Sequence, residues 1–135
     1  RAAADLEPDY TKALNNMGIA LSRTGKHDQA IAAYRRVLEL DPGHGGARFN
    51  LANAYLRAGS FEKAAAAYSD IVDADWSDLD AHFNLARAHY RKGNLEAAEN
   101  HFRIVLESDP GAKDARQELA LVLHERNRNA ESKPF

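Results

Sequence analysis

The sequence predicts an all-α fold, an α-solenoid built from helix-turn-helix hairpins. The first observation is that Gly25, Gly59 and Gly93 lie 34 residues apart. The same step separates further columns of residues: Asn16/Asn50/Asn84, Arg23/Arg57/Arg91, Ala30/Ala64/Ala98, Tyr34/Tyr68/Phe102 and Asp41/Asp75/Asp109. The second observation is that each period contains two apolar patterns of helical spacing, divided by the glycine. Stacked hairpins present a continuous surface, which favours binding over catalysis.

The period predicts the boundaries of one domain. Residues 1–126 form this domain, with a remnant of a preceding repeat at 1–10, repeats at 11–44, 45–78 and 79–112, and a capping helix at 113–126. Pro8 is in phase with Pro42 and Pro110, so we expect a helix boundary there and a chain cut from a longer array. Residues 127–135 are predicted to be a disordered tail.

Each predicted repeat has a first and a second helix. The first helices are expected over Lys12–Arg23, Gly46–Ala58 and Asp80–Lys92, and the second over Asp28–Leu40, Glu62–Ala74 and Glu96–Ser108. Left-handed caps are expected at the three periodic glycines, with Ser60 and Asn94 as N-caps. Helical spacing predicts one buried stripe in the first helix, formed by Leu14, Met17, Gly18 and Leu21.

Small residues recur where helices of neighbouring layers would meet. Gly18 shares a column with alanines, and a second column contains Ala30, Ala64 and Ala98. Such residues allow backbones to approach closely, near the short end of the roughly 8 to 10 Å helix spacing. A large side chain at Ala64 is therefore expected to overpack the contact.

Composition excludes several classes of protein. The 135 residues carry a net charge of -2 with a pI near 6.3, which gives no reason to expect binding to nucleic acid. No apolar stretch is long enough to insert in a membrane. The absence of cysteine removes thiolate metal sites and leaves the compartment open, with the cytoplasm slightly favoured.

The repeated residues resemble the tetratricopeptide repeat family over about Tyr10 to Arg126. The resemblance rests on three tandem copies, which contain Leu14-Asn15-Asn16-Met17-Gly18, Asn50-Leu51-Ala52 and Asn84-Leu85-Ala86. It implies a right-handed superhelix whose first helices line a concave groove. The sequence departs from the family pattern at Trp76, Arg48, His82 and His89, which puts the geometry of the loops in question.

Helical geometry places one set of side chains away from the hairpin core, and the resemblance makes this set the groove. Asn16, Asn50 and Asn84, with Asn53 beside them, carry amides that both donate and accept, as binding to a peptide main chain requires. The same asparagines could instead help neighbouring helices pack. Cationic groups in the groove would favour an acidic side chain or a carboxylate, and aromatic groups would anchor apolar side chains. These two sets are Arg23, Arg57, Arg87 and Arg91, and Phe49, Phe83 and Tyr90.

The arginines and aromatic residues of the groove have competing explanations. Arginine at the end of a helix interacts favourably with the helix dipole without any ligand. Phe49 and Phe83 could be partly buried between layers. The carboxylate clamp that binds Hsp70 and Hsp90 tails would want lysine or arginine at Asn15 and Asn84. Only Asn50 agrees with that pattern, so a chaperone tail is predicted not to be the ligand.

No catalytic, cofactor or metal site is predicted. His82, His89 and His101 belong to columns that point into the hairpin core, and Gly43-His44-Gly45-Gly46 lacks the strand that a nucleotide-binding loop requires. The leading hypothesis is a non-enzymatic scaffold that binds an extended, acidic peptide of a protein partner. The alternatives are a substrate-recruiting module of a larger enzyme such as a glycosyltransferase, RNA binding, which the period and charge disfavour, and self-association.

Overall fold

The computed structural model describes the backbone of residues 2–132 and the side chains of residues 9–131. These residues form seven helices and no strand: α1 (Ala2–Arg23), α2 (His27–Leu40), α3 (Gly45–Arg57), α4 (Phe61–Ala74), α5 (Leu79–Lys92), α6 (Leu95–Ser108) and α7 (Lys113–Ser132). The predicted all-α repeat architecture is confirmed. Within the described range, no helix is both long and apolar enough to cross a bilayer.

The turns inside the hairpins form where the sequence places glycine. Gly25, Gly59 and Gly93 have φ values of 79°, 82° and 87°, and no other described residue has a positive φ. Because a Cβ atom clashes with the backbone in this region, glycine is the residue that ends these helices at least cost. Asn94 then caps α6, since its side-chain oxygen accepts a hydrogen bond from the backbone N–H of Ala97 at 3.4 Å.

The chain divides into two compact units, with the division between Ala67 and Tyr68 inside α4. The sequence predicts one domain. In a repeat array each hairpin packs only against its neighbours, so most contacts are short in sequence and separate units emerge along the chain. Each unit is therefore described by itself.

In unit 1, α2 packs between α1 and α3. Tyr34 is the centre of this packing, with a side chain only 2% exposed in a cluster with Ala30 and Ala54. Gly18 on α1 lies directly against the Tyr34 ring, and a Cβ atom at Gly18 would meet ring atom Cε1 at 2.5 Å. The glycine thus permits α1 and α2 to approach around a bulky aromatic residue.

Two features of α1 differ from the predictions. Met17, expected in the buried stripe, is 49% exposed. It occupies the column of Leu51, and Leu51 is partly buried because it packs against Ala30 and Tyr34 of the hairpin before it. Among the described residues, no hairpin precedes α1 to cover Met17. The boundary expected near Pro8 is also absent, because α1 runs unbroken from Ala2 to Arg23.

In unit 2, α6 packs between α5 and α7. Its buried cluster centres on Phe102 and includes Ala86, Ala98, Val105, Ala115, Leu119 and Val122. The predicted capping helix is present as α7, but it continues past residue 126 to Ser132. Residues 127–132, predicted to be a disordered tail, are therefore helical, and residues 133–135 lie outside the described residues.

One column of side chains fastens the turns between repeats. Arg48 Nη2 donates to the carbonyl oxygen of Pro42 at 2.6 Å, and Arg116 Nη2 donates to that of Pro110 at 2.8 Å. In the repeat between them the same two columns contain His82 and Trp76, and His82 Nε2 lies 2.9 Å from the Trp76 carbonyl oxygen. Arg48, His82 and Arg116 thus share one role, since each contacts the carbonyl group that opens the preceding turn.

Candidate functional site

A cavity of about 310 Å³ opens within unit 1. Its lining comes from three helices that the α1–α2–α3 packing brings together: Ile19, Ser22 and Arg23 of α1, Tyr34 of α2, and Asn50, Asn53 and Arg57 of α3. Four of the predicted binding residues, Arg23, Asn50, Asn53 and Arg57, therefore share one recess.

The charge of this cavity is entirely positive. Arg23 and Arg57 occupy the last turns of α1 and α3, where the helix dipole favours a cation, and both are exposed. Neither forms an ion pair with any residue that the structure describes, and no carboxylate lines the cavity. Two guanidinium groups are thus available to an anionic ligand.

The amides of the cavity are partly engaged with each other. Asn50 Nδ2 donates to Asn15 Oδ1 across α1 and α3 at 3.3 Å, so this asparagine does contribute to helix packing. An amide has two N–H donors and an oxygen acceptor. Asn50 therefore retains a donor and an acceptor for a ligand while Asn15 holds its orientation. Asn16, the first member of the predicted ladder, is exposed on α1 but does not line the cavity.

Three lining residues were not among the predicted site residues. Ile19 is one 34-residue step before Asn53, and Ser22 is next to Arg23, but their side chains carry no charge or amide to mark them as ligand-binding. Tyr34 belongs to the repeated aromatic column that continues in Tyr68 and Phe102. It is almost fully buried, and it reaches the cavity because Gly18 leaves space for its ring.

The predicted site residues on α5 lie in unit 2, and most of them have partners there. Arg87 forms an ion pair with Glu118 at 3.4 Å and lies 5.7 Å from the centroid of the Phe83 ring. Phe83 meets Phe102 edge-on at 5.6 Å and, like Tyr90, packs against the buried cluster. The pKa of Glu118 is raised, because burial disfavours its carboxylate more than the positive charge of Arg87 stabilises it.

Three further predicted residues take varied positions. Asn84 is half-buried on α5, and Arg91 is exposed near the end of the same helix. Phe49 on α3 is half-buried, as the alternative explanation for it expected, and it does not line the unit 1 cavity.

A second cavity, of about 350 Å³, lies within unit 2 and has the opposite charge. Its apolar lining includes Phe83, and its rim carries Asp80, Asp109 and Asp114 against a single cation, Lys113. Carboxylates in the first turn of a helix stabilise that helix without any ligand. Asp109 is engaged as well, since its side chain accepts a hydrogen bond from the N–H of Gly111.

The three histidines that the sequence places in the core of the third hairpin lie together. His82 Nδ1 lies 3.0 Å from His101 Nδ1, and the rings of His89 and His101 stack with centroids 5.8 Å apart. Within the described residues, no group of three or more histidine, cysteine or acidic side chains has the arrangement of a metal site. Burial, followed by the charges of His82 and His89, lowers the pKa of His101 to about 4.

Fold and cavity together define an α-helical repeat protein whose first helices present a cationic, amide-lined recess. A sequence profile of the tetratricopeptide repeat family matches residues 15–78 and 80–132. The chain therefore belongs to the tetratricopeptide repeat family. No curated protein sequence is significantly similar to it.

Solved structures similar to this chain are tetratricopeptide domains. The first such domain of human RPAP3 is 26% identical, with a TM-score of 0.83 over 93% of this chain and 99% of that one. The first domain of Spaghetti (RPAP3), bound to the HSP90 peptide SRMEEVD, is 26% identical, with a TM-score of 0.81 over 88% and 94% of the two chains. The second domain of human RPAP3, in complex with the HSP70 peptide SGPTIEEVD, is 27% identical, with a TM-score of 0.76 over 87% and 96%.

These relatives overturn the prediction that an Hsp70 or Hsp90 tail is not the ligand. Two of the similar domains hold such peptides. The prediction was wrong because it required particular residue types at fixed positions, Asn15 and Asn84 among them. A carboxylate can bind to any guanidinium group that lies within reach of it. Arg23 and Arg57, which belong to a different repeat column from Asn15 and Asn84, line the unit 1 cavity.

Proposed function

We propose that the unit 1 cavity binds the acidic carboxy-terminal segment of a protein partner, and that the chain acts as a non-enzymatic interaction scaffold. The observation that carries this proposal is the pair of exposed arginines, Arg23 and Arg57, in a recess without a carboxylate. Hydrogen bonds between guanidinium and carboxylate groups are among the strongest that proteins make.

The remaining lining residues suit the same ligand. Asn50 and Asn53 offer amides that can bind the main chain of a peptide whatever its sequence. Ile19 supplies an apolar surface beside the charges. The peptides held by the similar RPAP3 domains both end in Glu-Glu-Val-Asp, which combines several carboxylates with one apolar side chain. Peptides of this composition are the ligand class that we assign to the cavity.

The test is a titration of the chain with the peptide SRMEEVD, followed by calorimetry. The single variants Arg57→Gln and Arg23→Gln should each weaken binding about five- to tenfold. This corresponds to roughly 1 to 1.4 kcal/mol, which is below the full strength of a charge-assisted hydrogen bond because the site is open to solvent. The double variant should abolish measurable binding.

A matched control separates the site from the net charge of the chain. Arg36 lies on α2 of the same unit, is exposed, pairs with Glu39 at 3.0 Å and does not line the cavity. Arg36→Gln makes the same change in charge and should leave the dissociation constant within about twofold of wild type. If Arg36→Gln weakens binding as much as Arg57→Gln does, the peptide is attracted by overall charge and the proposal fails.

A further inference from the structure

The histidines of the third hairpin form a chain of contacts that ends on the turn before it. The Trp76 carbonyl oxygen contacts His82, His82 contacts His101, and His101 stacks on His89. The His82 side chain, in the middle of these contacts, is fully buried. The turn at residues 75–78 is thereby connected to both helices of the α5–α6 hairpin.

The repeat register shows what is particular about His82. The equivalent residues in the neighbouring repeats, Arg48 and Arg116, fasten their turns with guanidinium groups that remain charged at every physiological pH. Histidine is the side chain whose charge changes between about pH 5 and 8. The middle turn alone among these three is therefore held by an imidazole group in place of a guanidinium group.

The contacts determine where the protons sit at neutral pH. A carbonyl oxygen can only accept, so His82 Nε2 carries a proton and donates it to Trp76. The Nδ1 atom of neutral His82 is then an acceptor, and His101 Nδ1 must donate to it. If His82 Nδ1 carried a proton as well, two N–H donors would face each other without an acceptor between them. Protonation of His101 at its other nitrogen would place a cation between two imidazole rings.

The groups around the cluster do not compensate for such a charge. The pKa of His101 is lowered by burial and by the two other histidines, and no carboxylate among the described residues contributes. Of the acids near the cluster in sequence, Asp80 is exposed and lines the unit 2 cavity, and three others are already engaged. Asp75 accepts hydrogen bonds from Ser77, Asp78 caps α5, and Glu99 on α6 binds two arginines, Arg103 and Arg126.

We propose that the His82–His101–His89 cluster is an acid-sensitive latch that holds the 75–78 turn on the α5–α6 hairpin and releases it when the cluster takes up a proton. In the latched state His101 Nδ1 donates to His82 Nδ1, and His82 Nε2 donates to the Trp76 carbonyl oxygen. In acid the protonated His101 ring leaves the stack for solvent, because a cation there is poorly solvated. The Nδ1 contact then opens, and His82 holds the Trp76 carbonyl group less firmly because no partner orients its ring.

The protein carries its own reporter for this event. Trp76 is the only tryptophan, and its ring meets the His82 ring edge-on with centroids 4.6 Å apart. An imidazolium group quenches indole fluorescence more strongly than a neutral imidazole does. The experiment is a pH titration of Trp76 fluorescence in the full chain without any ligand, with far-ultraviolet circular dichroism recorded on the same samples. We expect a reversible change in fluorescence between about pH 6 and pH 4 with helix content retained.

The decisive variant is His101→Asn, whose side-chain N–H can still donate to His82 but whose side chain cannot titrate. It should shift the fluorescence midpoint by at least half a pH unit, whereas His124→Gln, which replaces an exposed histidine on α7, should not. His82→Arg, which restores the residue of the neighbouring repeats, should remove the transition if it folds. The proposal is overturned if wild type shows no transition before helix content is lost, or if His101→Asn titrates as wild type does.

Discussion

The contact between Gly18 and Tyr34 gives the sharpest prediction about stability, because it places a glycine inside a helix for a packing reason. Gly18→Ala would introduce a Cβ atom at 2.5, 2.8 and 2.9 Å from three atoms of the Tyr34 ring. Carbon atoms in contact normally lie about 3.5 to 4.0 Å apart. The added methyl group therefore overlaps the ring by roughly 1 Å.

Two effects of opposite sign decide the outcome. Alanine is a better helix former than glycine by about 1 kcal/mol, which would stabilise α1. Overpacking of a buried contact costs about 1 to 3 kcal/mol. Tyr34 is only 2% exposed, so its ring cannot turn into solvent to relieve the overlap. The overpacking cost therefore falls in the upper part of its range, about 2 to 3 kcal/mol, and the gain in helix propensity reduces the net loss in the free energy of unfolding to about 1 to 2 kcal/mol.

Urea unfolding followed by circular dichroism measures this loss. Gly45→Ala is the matched control, since Gly45 begins α3 and a Cβ atom there would have no neighbour within 4 Å. The control should stay within about 0.5 kcal/mol of wild type. Tyr34→Leu combined with Gly18→Ala should lose less than the sum of the single variants, because the smaller side chain makes room. The reasoning is refuted if Gly18→Ala unfolds at the same urea concentration as Gly45→Ala.

Three further predictions concern other parts of the chain. Unit 2 should lose about 1 to 2 kcal/mol of stability as the pH falls from about 6.5 to about 4, because His101 takes up a proton more readily in the unfolded chain than in the folded one. This magnitude allows for solvent screening at a half-buried site, and urea midpoints measured across that pH range would test it. Asp78→Ala should cost about 1 kcal/mol in thermal or urea unfolding, since Asp78 caps α5 through the N–H of Ala81 at 3.1 Å, and Asp78→Asn should retain most of that stability. Ala64→Leu should destabilise by about 1 to 3 kcal/mol, because Ala64 is fully buried, and wild-type melting of this variant would contradict the close packing of its column.

Helices and turns followed from the sequence because they depend on local chemistry. Gly25, Gly59 and Gly93 take the left-handed conformation that their spacing predicts. Met17 shows where the same reasoning stops: periodicity gives the face on which a side chain lies, but burial also needs a partner on that face. Likewise, the composition of the tail beyond residue 126 indicated disorder, while the structure continues α7 to Ser132.

The sequence predicted which helix faces carry the candidate site residues, but it did not predict which other side chains those residues contact. Helical geometry grouped Arg23, Asn50 and Arg57 on one face, and these three residues do share a cavity. Arg87 lies on the equivalent face of α5 but pairs with Glu118, a residue of α7. A pattern within one helix contains no information about what a neighbouring helix presents. The role of His82 was hidden for the same reason, because its hydrogen-bond partners, the Trp76 carbonyl group and a histidine of α6, lie outside its own helix.

The proposed ligand of the unit 1 cavity is an acidic peptide. The most direct measurement is a titration of isotope-labelled chain with SRMEEVD, with chemical shifts followed by NMR. We expect the largest saturable changes on the side-chain amides of Asn50 and Asn53 and on the guanidinium groups of Arg23 and Arg57. Changes confined to unit 2, or no saturable changes at millimolar peptide, would contradict it.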